Sequence, residues 1–245
     1  MPASYSDANA KTLIIALHGG VGSAKNIEEQ SDLAEFSDEK GFILCSPNGI
    51  NRTWNAGWCC GKAQEKEIDD VGFIAKLIQE IKSDYNIDAK RVYVTGMSNG
   101  AMMSYRLACE LSTEIAAIAP VAGGMVFNDC EPTEAISIIH FHSYMESNIP
   151  YLGGIGNGIS DHYNSPLDSV LNFWRMEMNC LVSTTVYLNE EVTIEKGTDC
   201  VDSNEVVYYY TTDRGHSWPG GRAPTRKGDA PSEAINANEL IWDFF

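Results

Sequence analysis

Positive charge is scarce in this chain: 17 lysines and arginines stand against 34 aspartates and glutamates among 245 residues, a formal charge of −17. A surface that negative repels phosphate backbones and anionic lipid head groups at long range, which excludes nucleic-acid binding and membrane-surface attachment as functions. Long apolar runs are missing too, and no stretch approaches the roughly 18 residues of a membrane span. The opening segment, Met1 to Lys11, has neither a basic start nor an apolar run, so no signal peptide is expected there. No C-x2-C or H-x3-H pair occurs, so the usual ligand spacing of a zinc site is absent and no metal or other cofactor is expected. His140 and His142, two apart on one strand face, read as a core and a loop-entry residue rather than ligands. No repeat, composition shift or Pro/Ser-rich linker divides the chain, so residues 1–245 are expected to form one domain. Tyr151 to Ser160 (YLGGIGNGIS) is rich in glycine, but it follows no apolar strand directly and lacks G-x-x-x-x-G-K-[ST]. It reads as a flexible surface loop, not a phosphate cradle. Asn51-Arg-Thr53 matches the glycosylation sequon, a pattern short enough to arise by chance.

What is present is the composition of a packed globular protein, 44% hydrophobic and 21% charged. Seven cysteines are many for a cytosolic protein and fit an oxidising compartment. The number is odd, and Cys45, inside the apolar run Gly41-Phe-Ile-Leu-Cys45, is expected to be free and buried. Thr12 to Leu17, Arg91 to Thr95, Ile115 to Val121, Ile136 to Phe141 and Glu205 to Thr211 read as strands. Val71, Ile74, Ile78 and Ile81 recur at helical spacing, widened by Phe73 and Leu77, with Asp69 or Asp70 as N-cap. Ser169 to Met178 and Glu233 to Phe245 also read as helices. Alternating strands and helices imply βαβ units and a mostly parallel central sheet.

Chemistry concentrates at Gly96-Met97-Ser98-Asn99-Gly100, a G-x-S-x-G pattern between a strand and a helical segment. Small residues at Gly96 and Gly100 let the backbone cross itself, and the helix that follows directs its N-terminus at a reacting carbonyl. Ser98 is the predicted nucleophile. An oxyanion needs two backbone donors. Asn99 N–H supplies one, and Gly20 N–H, in the Leu17-His18-Gly19-Gly20 loop after an early strand, is the predicted second. Of five histidines only His216 lies in a late loop, Asp213-Arg-Gly-His216-Ser-Trp-Pro-Gly-Gly221, which makes it the predicted general base. The acid is expected after the strand Ile136 to Phe141. Glu146 meets that requirement, with Asp161 and Asp168 as rivals.

Taken with further segments, these motifs resemble the polyhydroxybutyrate depolymerase and feruloyl or acetylxylan esterase group of secreted α/β-hydrolases, of the carbohydrate esterase family one kind. The resembling segments are Leu17 to Gly20, Ser46 to Gly49, Trp54-Asn-Ala-Gly-Trp-Cys-Cys-Gly61, Asp69 to Phe73, Gly96 to Met103, Tyr105 to Glu110, Pro150-Tyr151 with Gly153-Gly154, and His216-Ser-Trp-Pro-Gly-Gly221. The resemblance implies an α/β-hydrolase fold with helices on both sheet faces, secretion, and metal-free ester hydrolysis through Ser98 and His216. One position departs from the family pattern H-G-x-x-D: Ser143 replaces the glycine and Glu146 stands where the aspartate is usual. The resemblance also implies disulfides among Cys59, Cys60, Cys109 and Cys130, and a further one between Cys180 and Cys200. That last bridge is expected to constrain the unfolded chain and steady the loop carrying His216.

Trp218, two residues from His216, is expected to line the acyl or sugar pocket, since indole faces stack on cinnamoyl groups and pyranoses alike, while Trp54 and Trp58 are either further pocket candidates or core and loop anchors. The expected substrate is a feruloyl or acetyl ester of plant cell-wall polysaccharide, or a related small ester. Cleavage of a short-chain polyester, poly(3-hydroxybutyrate) in type, is the second reading, and a non-catalytic carbohydrate-binding protein on a hydrolase fold is the third. The expected two-step hydrolysis loses rate as falling pH protonates the His216 base.

Overall fold

A computed structural model describes residues 1–2, 5–159, 161–223 and 228–245. The apolar runs become strands and the helical stripes become helices. In chain order they are β1 (Lys11–Leu17), α1 (Ala24–Ser31), α2 (Leu33–Lys40), β2 (Ile43–Cys45), α3 (Gly61–Glu65), α4 (Asp70–Asp84), β3 (Ile87–Met97), α5 (Asn99–Glu110), β4 (Ala117–Val121) and β5 (Ser137–Ser143). After them come β6 (Gly154–Ile155), β7 (Tyr163–Asn164), α6 (Leu167–Glu177), β8 (Val182–Tyr187), β9 (Val192–Thr198), β10 (Val206–Thr211) and α7 (Ala237–Phe244). Asp69 is the N-cap of α4, its Oδ1 accepting from Gly72 N–H at 2.8 Å.

The main sheet runs β2-β1-β3-β4-β5-β10-β9-β8. Parallel ladders join β2 through β10, and antiparallel ladders add β9 and β8. Side chains alternate across it. On one face Leu13, Ile15, Val92 and Val94 pack with Ile74 and Ile78 of α4, Met102 of α5 and Trp174 of α6. On the other, Ile14, Ala16 and Phe141 pack with Ile27 of α1, Leu33 of α2 and Ile241 of α7. Helices therefore cover both faces.

Two registers place the site. Leu17 lies opposite Gly96, so the loop after β1 and the turn after β3 leave the sheet side by side. Ser143 lies opposite Thr211, so the loops after β5 and β10 do the same. All four leave from the carboxyl ends of parallel strands, where open α/β sheets bind their ligands.

Three expectations are corrected. Cys45 is free but only half-buried. The segment read as a loop, Tyr151 to Ser160, contains β6, which pairs Ile155 with Tyr163 of β7; its last residue, Ser160, lies outside the described residues. Cys180 bonds Cys200, but Cys200 follows β9 near the Val206 end of β10, while His216 follows the Thr211 end. The bridge therefore closes the far end of the sheet and does not reach the His216 loop. The remaining bonds join Cys109 to Cys130 and Cys59 to Cys60.

Candidate active site

Between the last residue of β3 and the first of α5 stands one residue, Ser98, with φ 58° and ψ −120°. Positive φ is a costly backbone for a residue with a side chain, and such strain persists only where the surroundings impose it. Here Ser98 N–H donates to Val121 O at 2.9 Å, and Ser98 O accepts from Met102 N–H at 3.0 Å. A Cβ on Gly96 would lie 2.6 Å from the Gly100 carbonyl, and one on Gly100 would strike Leu17 O. The two glycines are thus sterically required for the turn.

Asn99 is buried and its side chain grips one residue twice: Oδ1 accepts from Trp54 N–H at 2.7 Å and Nδ2 donates to Trp54 O at 3.0 Å. The next residue is held as firmly. Asn55 N–H donates to the buried Asp70 carboxylate at 2.7 Å, and Asn55 O accepts from Arg106 at 2.8 Å. Burial raises the Asp70 carboxyl above its ordinary pKa, against the Asn55 bond and the Arg106 charge. Gly19 and Gly20 run beside the serine turn, and a Cβ on Gly19 would sit 3.3 Å from Ser98 Cβ. Ile159 Cδ1 packs directly over Gly20.

Across the site, Glu146 Oε2 lies 2.6 Å from His216 Nδ1. The other oxygen, Oε1, accepts from Asn148 N–H at 2.7 Å and Ile149 N–H at 3.3 Å. The carboxylate side chain has no exposed surface, while the imidazole keeps 17% of its own. Burial alone would raise the Glu146 carboxyl, but the hydrogen bond and charge of His216, with His142 and Asn148 N–H, leave it below its ordinary pKa. The His216 loop is tied from outside: Asp229 accepts from His216 N–H at 2.6 Å, and Ser143 Oγ donates to Arg214 O. Of the rival acids, Asp161 is exposed and Asp168 accepts from Tyr151 at 2.7 Å. No hydrogen bond joins Ser98 to His216; such a contact often forms fully only with substrate bound.

The pocket expectation is overturned at Trp218, and of the two readings of Trp54 the core anchor is the one the packing supports. Trp218 is 2% exposed and donates its indole N–H to Asn238 of α7 at 3.0 Å. Trp54 is 0% exposed and donates to His18 O at 3.0 Å. Both rings are packed inside and offer no face to a ligand. Trp58 is 36% exposed and donates to Tyr163 O at 2.9 Å, so it alone of the three retains an open ring. Among the described residues, Cys59, Cys60 and His162 bring metal-ligating atoms together, but the two sulfurs are bonded to each other. Asp229 as a tether escapes sequence reasoning: its partner lies 13 residues away and no local pattern announces it.

Compared with known proteins, residues 4–147, more than half of the chain, match the family model described as Esterase PHB depolymerase. The chain is 32% identical over 163 residues to feruloyl esterase B of Piromyces equi, a match covering 63% of this chain and 30% of that protein. It is 25% identical over 238 residues to a bifunctional acetylxylan esterase/xylanase of Neocallimastix patriciarum, covering 95% of this chain and 30% of that protein. The chain therefore spans about a third of the length of those two relatives. Acetyl xylan esterase from Aspergillus awamori superposes with a TM-score of 0.63 over 88% of this chain and 86% of that one, at 16% identity. That likeness concerns the fold alone, and the fold is the expected α/β-hydrolase fold.

Proposed function

The chain belongs to the Esterase PHB depolymerase family, and on that premise we propose that it is a serine carboxylic-ester hydrolase releasing feruloyl or acetyl groups from plant polysaccharide. The observation that carries the reading is the Ser98 backbone, strained at φ 58° on a strand-to-helix turn that glycines make possible. A binding protein has no physical need for it.

In this mechanism His216 takes the proton of Ser98 Oγ, which attacks the ester carbonyl, while Gly20 and Asn99 N–H groups hold the oxyanion. The proton passes to the leaving alcohol as the C–O bond breaks. Water, deprotonated by the same imidazole, then releases the acid from the acyl-enzyme. Glu146 holds the Nδ1–H tautomer and stabilises the imidazolium throughout. Disulfides of this kind persist in oxidising surroundings, which supports action outside the cell. No helix among the described residues is long and apolar enough to cross a membrane.

A second reading, cleavage of a short-chain polyester, is favoured by exposed apolar side chains beside the site. Ile159 packs over Gly20, next to the exposed Val21; Ile155 pairs with Tyr163, whose carbonyl holds the Trp58 ring. An exposed apolar patch of this sort suits adsorption to a polymer surface.

The test compares wild type and Ser98→Ala on p-nitrophenyl acetate, methyl ferulate, acetylated xylan and a 3-hydroxybutyrate polymer. Esterase turnover that vanishes in Ser98→Ala is expected, with ferulate or acetate released faster than 3-hydroxybutyrate. The reverse order of release supports the polyester reading. Wild type as inactive as Ser98→Ala on all four overturns the hydrolase and points to glycan binding.

A further inference from the structure

We propose that His18 is a positioning residue that aims the Gly20 amide at the oxyanion, by donating from Nδ1 to the Gly19 carbonyl in a single enforced tautomer; this rests on the esterase reading above.

The tautomer follows from what its neighbours are able to do. Gly49 N–H, which only donates, lies 3.0 Å from His18 Nε2, so that nitrogen carries no proton. A neutral ring then bears its proton on Nδ1, which lies 2.7 Å from Gly19 O. The ring is 1% exposed, and burial holds its pKa below the ordinary value, against the Gly19 bond and with help from the Arg52 charge. Neutrality and the Nδ1–H tautomer are thus imposed together.

The consequence lies one peptide bond away. Gly19 O accepts from two donors on one side, His18 Nδ1–H and Gly22 N–H, the latter at 3.0 Å. In a trans peptide the C=O and the next N–H point in opposite directions. Fixing the Gly19 carbonyl toward His18 and Gly22 therefore turns Gly20 N–H away from both. The same two glycines lie along the serine turn, with the Gly19 Cβ position 3.9 Å from Ser98 Oγ and the Gly20 Cβ position 3.9 Å from Asn99 Cβ. The loop Gly49 to Trp54 completes the clamp. Its first residue reads the His18 ring, its last donates to the His18 carbonyl and pairs with Asn99, so both oxyanion segments share one support.

Two substitutions separate this role from simple space filling. His18→Asn puts an amide N–H near the Nδ1 position, whereas His18→Gln reaches the Nε2 position and leaves Gly19 O without its side-chain donor. Losing one oxyanion donor lowers kcat by about 10²–10³. His18→Gln is expected to lose roughly 100-fold in kcat with KM within twofold, and to bind a trifluoromethyl ketone, which forms a tetrahedral adduct on the serine, more weakly by a similar factor. His18→Asn is expected to stay within about tenfold of wild type. Histidine ¹⁵N NMR of the wild-type protein at neutral pH reads the tautomer directly, independently of how the variants fold, and should find Nδ1 protonated and Nε2 bare. A proton on Nε2, equal losses in the two variants, or wild-type kcat in both overturns the inference. If wild type itself is as inactive as Ser98→Ala, the esterase reading has failed, a result the variants cannot mimic.

Discussion

Glu146→Gln exchanges one carboxylate oxygen for an NH₂ group on a side chain with no exposed surface, so no water is available to relieve the change. Glu146 accepts from three donors: His216 Nδ1 at 2.6 Å, Asn148 N–H at 2.7 Å and Ile149 N–H at 3.3 Å. Either amide orientation sets a donor against a donor. With NH₂ toward the two backbone N–H groups, the loop must open. With NH₂ toward His216, Nδ1 must become the acceptor and the proton moves to Nε2, where the base has to be free. In the proposed mechanism, the imidazolium that forms as Ser98 loses its proton also loses its counter-charge. At centres about 4 Å apart and an effective dielectric near 20, that attraction is about 4 kcal/mol, close to 10³ in rate. With the tautomer penalty added, kcat should fall by about 10³–10⁴ with KM little changed. Glu146→Asp keeps the charge but draws the carboxylate back by about one methylene, and a loss of roughly 10–100-fold is expected. The assay is p-nitrophenyl acetate hydrolysis on folded protein from one preparation, with thermal unfolding as the control. A Glu146→Gln enzyme within tenfold of wild type refutes the reasoning and sends the search back to Asp161 and Asp168.

Three further outcomes are expected. Burial lowers the pKa of His142 from 6.5 to about 4, against the Glu146 charge. Between those values the unfolded chain binds a proton that the folded chain does not, so stability falls as pH drops from about 6.5 to 4, by about 3 kcal/mol for this residue. Urea unfolding across that range should show the slope, shallower in His142→Asn; stability that holds level or rises toward acid is incompatible with it. Cys180→Ala with Cys200→Ala opens a loop of about 20 residues, worth about 3 kcal/mol or roughly 10 °C in Tm. Turnover at 25 °C should be unchanged, because the bridge and His216 lie at opposite ends of β10. Trp54→Phe leaves the His18 carbonyl without its indole donor and should lower kcat roughly tenfold at unchanged KM. A raised KM instead would restore Trp54 to the ligand site.

Sequence was legible wherever a physical requirement is local or is set by strand order. Gly96 and Gly100 flank Ser98 because a turn that tight admits no Cβ, and that need is written within five residues. Glu146 and His216 are 70 positions apart, yet both follow strands that the α/β pattern makes neighbours, so their meeting at 2.6 Å could be anticipated. Proximity along the chain misled at Trp218: two residues from His216 it turns inward and bonds Asn238, since spacing in a loop does not state direction. Strand β8 was invisible because every residue from Val182 to Tyr187 is exposed, and without a buried face there is no alternation to read. Cys180 and Cys200 pair as expected while their place in the sheet does not follow from the sequence, because β9 between them joins the sheet antiparallel, outside the strand-helix alternation.

Glu146 stands on a loop that is held from beneath. His142 Nε2 lies 2.9 Å from Ile149 O, which only accepts, so the proton is on Nε2 and His142 Nδ1 must accept. His140 Nε2, 3.3 Å away, therefore donates to it, His140 Nδ1 accepts from Tyr105 OH at 2.9 Å, and Tyr105 accepts from Tyr208 OH at 2.6 Å. Burial keeps both imidazoles neutral, each pKa lying below its ordinary value. A chain of hydrogen bonds with one direction thus runs from β10 and α5 through β5 to the Ile149 carbonyl, while the N–H of the same residue donates to Glu146 Oε1. Both polar groups of Ile149 are occupied, one by the core and one by Glu146. Glu146 keeps its contact with His216 only if the loop from Ser143 to Ile149 holds its backbone in place, and this network ties that loop to the sheet.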